Sequence, residues 1–469
     1  MPSSQVPIIK GDTIGIETDY RDALPVNMFA VKRDILGAKV YMLQYPGLSS
    51  FATAVGKDRG GNYNERHGNH YRISGGQLVS IDSSGTVTSL GPVHGQSQVA
   101  MPYSFNTQCI IADGRMYLYS PSGGFSEVTD PDLGIPIDGV WINGYYFLTD
   151  GEYIYHTDIT NESSIDPLKF ATAEFMPDKS LGVGKTQDNK VIVFGRYSLE
   201  YFVDAANTDF AFQRVESRAQ KIGIVATHAK VETESGWYIC GGRKGDCVSI
   251  HIVNIGSTQR VATREIDKII GKYSEEDLSD IRLESYEEDG VRFVLVHLPS
   301  ETLCFHDTAA KDFGPSVAWS VLKTDVAGSS PYRGINMVND PRLGYWLCGD
   351  KIDGRVGKID DTVATHYGEL AEIIAYTPFL NLETASIDEL SIETIPGRTD
   401  VSDATVAVSA TYDGATFGNE VWMNYGARQK YGQRFIMYRL GYVSDWIGFK
   451  IRAASRSRMS FAMMRITYG

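Results

Sequence analysis

GVWINGYYFLTDGEYIYHTDI, from Gly139 to Ile159, decides how the rest of the chain reads. Asn143-Gly144 and Asp150-Gly151 interrupt short runs of β-branched and aromatic residues. Asn-Gly and Asp-Gly suit a type I′ turn, whose two central residues need positive φ, so the stretch predicts consecutive antiparallel strands. The same pattern recurs on both sides, at Asp113-Gly114 in CIIADGRMYLY, Asp289-Gly290 in YEEDGVRFVLVHL, Asp353-Gly354 and Asp413-Gly414. Further turns fall at Gly75-Gly76, around Gly195 and near Arg243. Taken one per unit, the turns lie near residues 75, 114, 147, 195, 243, 297 and 350, spaced about 35–55 residues apart.

Units of four short strands at such a spacing are what a β-propeller requires, because each blade buries its faces only against its neighbours. The expected fold is all-β. It has a β-propeller over residues 46–361, with six blades preferred to seven, and a pair of stacked sandwiches is the competing architecture. REIDKIIGKYSEEDLSDIR breaks the pattern, since Ile266, Ile269, Ile270 and Tyr273 recur at helical spacing. Ser274 followed by acidic residues resembles an N-cap, so a helical insertion with a second short helix is expected over about 264–282. Beyond Asp361 the short hairpins stop, and 362–469 reads as a C-terminal antiparallel β-domain. Residues 1–45 have no blade of their own. Their apolar LPVNM predicts an ordered segment packed on the C-terminal domain or on a neighbouring copy.

Hydrophobic residues at 42% and charged residues at 22% are globular values. No apolar run approaches the ~20 residues that span a bilayer. MPSSQVPIIKGDTIG lacks the charged start and apolar stretch of a signal peptide, so a protein made in a cytoplasm is expected. The five cysteines are too few and too scattered for a disulfide framework, and buried, reduced thiols are the expectation.

The formal charge of −14 argues against a sequence-independent DNA coat, which would neutralise phosphates with Lys and Arg. From Glu420 to Gly469, however, nine Lys and Arg stand against two Asp and Glu. Within WIGFKIRAASRSR, Ile447, Phe449, Ile451 and Ala453 alternate with Lys450, Arg452, Arg456 and Arg458 on even positions. A strand continuing through Ser457 would gather these four cations on one face, a candidate docking stripe for an acidic partner.

Motifs that carry chemistry are missing or incomplete. LGVGKT ends like a phosphate loop but has Lys179 where the first glycine belongs, and a strand-like KVIVFG follows. The nine histidines are dispersed, and ERHGNH suits a loop better than a metal site. No G-x-S-x-G elbow occurs. TYDGATF approaches the aspartate box of sialidase-type propellers but is one residue short, and that box is a structural hairpin. No catalytic residue, cofactor or metal is therefore expected. The alternatives are a propeller enzyme acting on polysaccharide, with carboxylates from distant blades, and a generic propeller interaction module.

Several segments, in order along nearly the whole chain, resemble one family. They are YRDALPVNM (Tyr20 to Met28), YPGL (Tyr45 to Leu48), IDKIIGKYSEED (Ile266 to Asp277) and VHLP (Val296 to Pro299). WSVLKT (Trp319 to Thr324), YRGINM (Tyr332 to Met337), CGDK (Cys348 to Lys351), SATYDG (Ser409 to Gly414) and IGFKIR (Ile447 to Arg452) follow. Together they look like the tail hub of short-tailed Salmonella-type phages, also called the packaged-DNA stabilisation protein, tail accessory factor or tail nozzle. The resemblance implies a non-enzymatic virion protein with a propeller and a β-domain, assembled in the bacterial cytoplasm. It implies a homo-hexameric tube below the portal adaptor ring that retains packaged DNA and lets it pass during ejection without specific binding. The implied partners are the adaptor, the tailspikes, and the tail needle or plug.

Overall fold

The computed structural model describes residues 2–14, 19–394 and 404–469. Between Gly47 and Asp360 the chain forms seven antiparallel sheets, the blades of a propeller. Blades 1 to 6 span residues 58–92, 100–127, 138–171, 180–214, 223–260 and 282–322. In blade 2 the bridges Ala100↔Ile111 and Tyr103↔Gln108 supply the inner edge beside three regular strands. Blade 7 joins the two ends of the ring. Its strands Gly334–Asp340, Tyr345–Asp350 and Arg355–Asp360 are completed by Gly47–Thr53, paired from Asp360↔Gly47 to Arg355↔Thr53. The count is thus seven, where six had been preferred. The connections are shorter than a uniform repeat assumes, and the last blade borrows a strand from before the first.

The turns show why these residues form hairpins. Asp113 and Gly114 have φ of 50° and 73°, and Asp289 and Gly290 have φ of 52° and 72°, as a type I′ turn demands. Gly354 differs: it is not among the residues at positive φ. Its glycine is required by close approach, because a Cβ there would sit 2.2 Å from the carbonyl oxygen of Ala54, the residue just after the ring-closing strand.

The insertion contains α1 (Arg264–Ile270), which buries Ile266 and Ile270 against blades 5 and 6. The second expected helix is only a 3₁₀ turn, Asp277–Asp280, with Leu278 buried. It is opened by Ser274, whose hydroxyl bonds the Asp277 carboxylate at 2.7 Å. A further helix, α2 (Asp307–Phe313), follows the third strand of blade 6. The His306 ring caps it by accepting the Ala309 N–H at 2.6 Å. Seven residues with a histidine cap leave too little periodicity to read in advance.

The C-terminal region is a sandwich of a four-stranded and a five-stranded sheet, the second including the short strand Leu380–Asn381 paired with Trp446–Ala454. One has the order Ser3–Pro7, Met463–Tyr468, Ala385–Glu393, Phe435–Val443, and the other Glu372–Tyr376, Trp446–Ala454, Thr405–Thr411, Val421–Asn424. Val6, Leu390, Val406, Phe449, Ile451 and Met464 form its core. The first described strand of the chain is thus an edge strand of the last domain, paired Ser3↔Thr467 to Pro7↔Met463. A hairpin of Met28–Ile35 and Ala38–Gln44 then pairs with Ser460–Phe461. Its Phe29, with Tyr45, enters an aromatic cluster with Tyr286 and Phe293 of blade 6.

Asn27, with φ of 51°, makes the joint. Its side-chain amide donates to the carbonyls of Lys323 and Glu372 at 2.9 and 2.8 Å, while its Oδ1 accepts the Lys323 N–H at 2.9 Å. One buried side chain therefore ties blade 6 to the sandwich.

Candidate functional site

Two places concentrate charge: the propeller axis and the basic sandwich. At the axis, side chains from non-adjacent blades meet. Lys230 of blade 5 donates to Asp138 of blade 3 at 2.7 Å, bridging past blade 4, and both side chains are nearly inaccessible. Arg72 lies 3.3 Å from Asp58, which accepts the Asn336 amide of blade 7 at 2.6 Å. Glu284 of blade 6 accepts from His297 at 2.5 Å and from the Met337 N–H at 2.8 Å. Arg282 stands close enough to feel Glu284, Asp58, Arg72 and Asp138 together.

These groups titrate as a sealed interior would make them. Burial pushes the Asp58 carboxyl up to about 6 despite Arg72 and Asn336. Burial also raises Glu284, but His297, Arg282 and the Met337 amide more than offset it and hold that carboxyl below its ordinary value. Burial, with the charges of Lys351 and Arg282, holds His297 down to about 4, so a neutral imidazole donates to a charged carboxylate. Paired and hydrogen-bonded buried charges are the condition under which such a cluster is tolerated. Its chemistry is structural: it fills the axis. Among the described residues no group of three or more His, Cys, Asp or Glu could hold a metal ion.

The four cations of the candidate stripe do not share one face. The strand Trp446–Ala454 ends before Arg456, and the Ser455 hydroxyl turns the chain by accepting the Ser457 N–H at 3.2 Å. Arg452 grips Glu420 with two bonds of 2.7 and 2.6 Å and lies 3.5 Å from Glu372, so its charge is spent within the sandwich. That guanidinium in turn holds the Glu420 carboxyl below its usual value. Lys450 sits 4.8 Å over the Phe417 ring. Arg458 turns back to the carbonyls of Gln44 and Asp361. Arg456 alone of the four is exposed, the others being half-buried. Alternation in sequence could not reveal where the strand would end.

Sequence reasoning missed the exposed aromatics of the same basic segment. Tyr438, Tyr442 and Trp446 are 65, 61 and 50% exposed on the Phe435–Val443 edge strand and the start of the next. Aromatic density within the basic segment was the available signal.

Propeller, ring-closing strand and sandwich define a two-domain all-β scaffold whose own axis is closed by side chains. The chain belongs to the Bacteriophage P22 Gp10 family: the family's β-propeller model matches residues 4–364 and its β-sandwich model residues 372–469. It is 28% identical over 484 aligned positions to the tail hub protein gp10 of Salmonella phage P22, covering 99% of both chains. Solved structures resemble the chain more loosely. The extracellular domain of a hybrid two-component system from B. thetaiotaomicron is 9% identical at a TM-score of 0.44, covering 77% of this chain, which spans 46% of that one. Virginiamycin B lyase from Staphylococcus aureus is 8% identical at a TM-score of 0.41, covering 68% of this chain and 99% of that one.

Proposed function

We propose that this chain is a structural tail hub protein of a short-tailed phage. The end-to-end similarity to tail hub protein gp10 carries the reading, since it covers propeller, joint and sandwich together. In this reading, copies assemble as a hexameric tube below the portal adaptor ring. The tube retains packaged DNA, conducts it during ejection, and holds the tailspikes and the needle or plug. It acts without catalysis, in a virion tail put together in the host cytoplasm.

The closed axis supports one feature of this reading. A propeller whose inner edge is filled by buried, paired side chains, Lys230 with Asp138, Arg72 with Asp58 and Arg282 within reach of both carboxylates, has no bore for a duplex, so a DNA conduit must run between copies. A net charge of −14 suits a wall that does not hold DNA back. Lys450 and Arg456 remain docking residues for an acidic partner such as the adaptor, with Arg452 and Arg458 acting through the folded sandwich.

The test is a phage genome lacking this gene, complemented in trans. Full heads that lose their DNA without the protein, and keep it when the chain is supplied, are the expected result. Stable, infectious particles without the chain would refute the reading.

A further inference from the structure

Exposed apolar side chains gather at a second place, far from the sandwich. On blade 3 and its flanking loops, Ile135, Tyr153, Leu168 and Phe170 are 69, 36, 80 and 49% exposed. Tyr153 and Phe170 line a notch of about 270 Å³ together with Asp132, Asp150 and Asp166, and Ile135 and Leu168 lie next to its lining residues in the chain. The surrounding sequence is one-sided: from Asp130 to Asp178 ten Asp and Glu stand against a single Lys. A patch both apolar and acidic requires a partner that is both apolar and basic.

The same chain carries such a surface. The edge strand Phe435–Val443 and the start of the strand Trp446–Ala454 expose Tyr438, Tyr442 and Trp446, with Arg434 and Arg439 exposed at and within the first strand and Glu389 of the neighbouring strand opposite Tyr438. The two surfaces cannot meet within one molecule. The sandwich joins the propeller beside blades 6 and 7, through Asn27, Lys323 and the Gly47 N–H bonded to the Val363 carbonyl. In a ring of seven, blade 3 is three blades from each, on the opposite side. Two different, complementary patches at opposite ends of one chain make a head-to-tail contact, which closes into a ring when the rotation per copy allows.

We infer that the acidic notch of blade 3 receives the aromatic, basic sandwich edge of the next copy. This rests on the tail hub reading for its ring and adds the surfaces that form it. The Arg434 and Arg439 side of the sandwich is then a contact between copies, distinct from Lys450 and Arg456.

Two one-sided charge reversals of the full chain test the inference. Asp132→Lys with Asp166→Lys makes both patches basic, and Arg434→Glu with Arg439→Glu makes the other acidic. Self-association of each purified protein is followed at low ionic strength by light scattering over a concentration series, with circular dichroism to verify folding. The wild type is expected to self-associate, and each folded variant to do so roughly tenfold or more weakly. An equimolar mixture of the two variants should regain wild-type association, because each then offers the charge that the other lacks. A wild type that stays monomeric, variants that associate like it, or a mixture of folded variants that fails to recover would each overturn the inference. None of these results touches DNA retention by complemented particles, so the tail hub reading stands or falls separately. Should a reversal unfold the chain, Leu168→Asp on one side and Tyr438→Asp on the other replace it, and both must weaken association.

Discussion

Arg458 donates through Nε and Nη2 to the Gln44 carbonyl oxygen, at 3.0 and 2.8 Å, across 414 residues of chain. Its Nη1 reaches the Asp361 carbonyl at 3.1 Å, and the Gln44 side chain accepts the Met459 N–H at 3.1 Å. One guanidinium thus closes the N-terminal segment, the end of the propeller and the last strands of the sandwich onto one another.

Arg458→Ala should therefore destabilise the whole chain, by roughly 1–3 kcal/mol, because it leaves backbone acceptors without their charged donor. Urea denaturation of the purified protein measures it. Lys450→Glu removes only a cation over an aromatic ring and should shift the midpoint far less. Equal midpoints for the two variants would show that the joint does not depend on Arg458.

Gly114→Val and Gly354→Ala should both be costly, for different reasons. At Gly114 the φ of 73° disfavours any β-branched side chain, which predicts a loss of roughly 1–3 kcal/mol. At Gly354 the added methyl meets the Ala54 carbonyl, so the damage falls on ring closure. Limited proteolysis should then release fragments cut between residues 47 and 58 faster than in the wild type.

Arg452→Gln should lower thermal stability, and Glu420→Gln should lower it to a similar degree, since each breaks the same bidentate pair. The double variant should lose little more than either single change. Additive losses in calorimetry would mean that the pair contributes nothing as a pair.

Acid should weaken the fold between pH 6.5 and 4. Burial holds His70, His297, His306 and His366 down to about 4, whereas an unfolded histidine takes its proton near pH 6.5. A depressed folded value gives stability that is complete above the unfolded value and is lost as pH falls through the folded one. Asp58, pushed up to about 6, and Glu288, pushed up to about 7, act in the opposite sense, keeping protons that the unfolded chain releases. Four imidazoles outweigh two carboxyls, so the urea midpoint should fall across this window. His366→Gln should reduce the slope by about one proton.

How much of this was legible in the chain follows from the range of the forces involved. Asp113-Gly114 and Asp289-Gly290 specify their hairpins locally, since few residues other than Gly and Asn or Asp adopt the required φ, and the sequence alone shows such turns spaced along a propeller. The charge asymmetry and the in-order family motifs are likewise properties of the string. α2 was not legible, nor was the end of the strand before Arg456, because a histidine cap and a serine turn act only once neighbours are in place.

The sequence by itself determined the all-β character, the two domains and the family. Tertiary structure alone decided the seventh blade, completed by Gly47–Thr53 from before the first, and the placing of Ser3–Pro7 in the last domain. It also decided that Lys230 and Asp138 pair along the inner edge of the propeller and that Arg452 and Arg458 spend their charge inside the chain. The physical reason is the same in each case. A turn or a periodicity is written by residues within a few positions of one another, whereas strand pairing and ion pairing across tens to hundreds of residues depend on which surfaces the folded chain brings together.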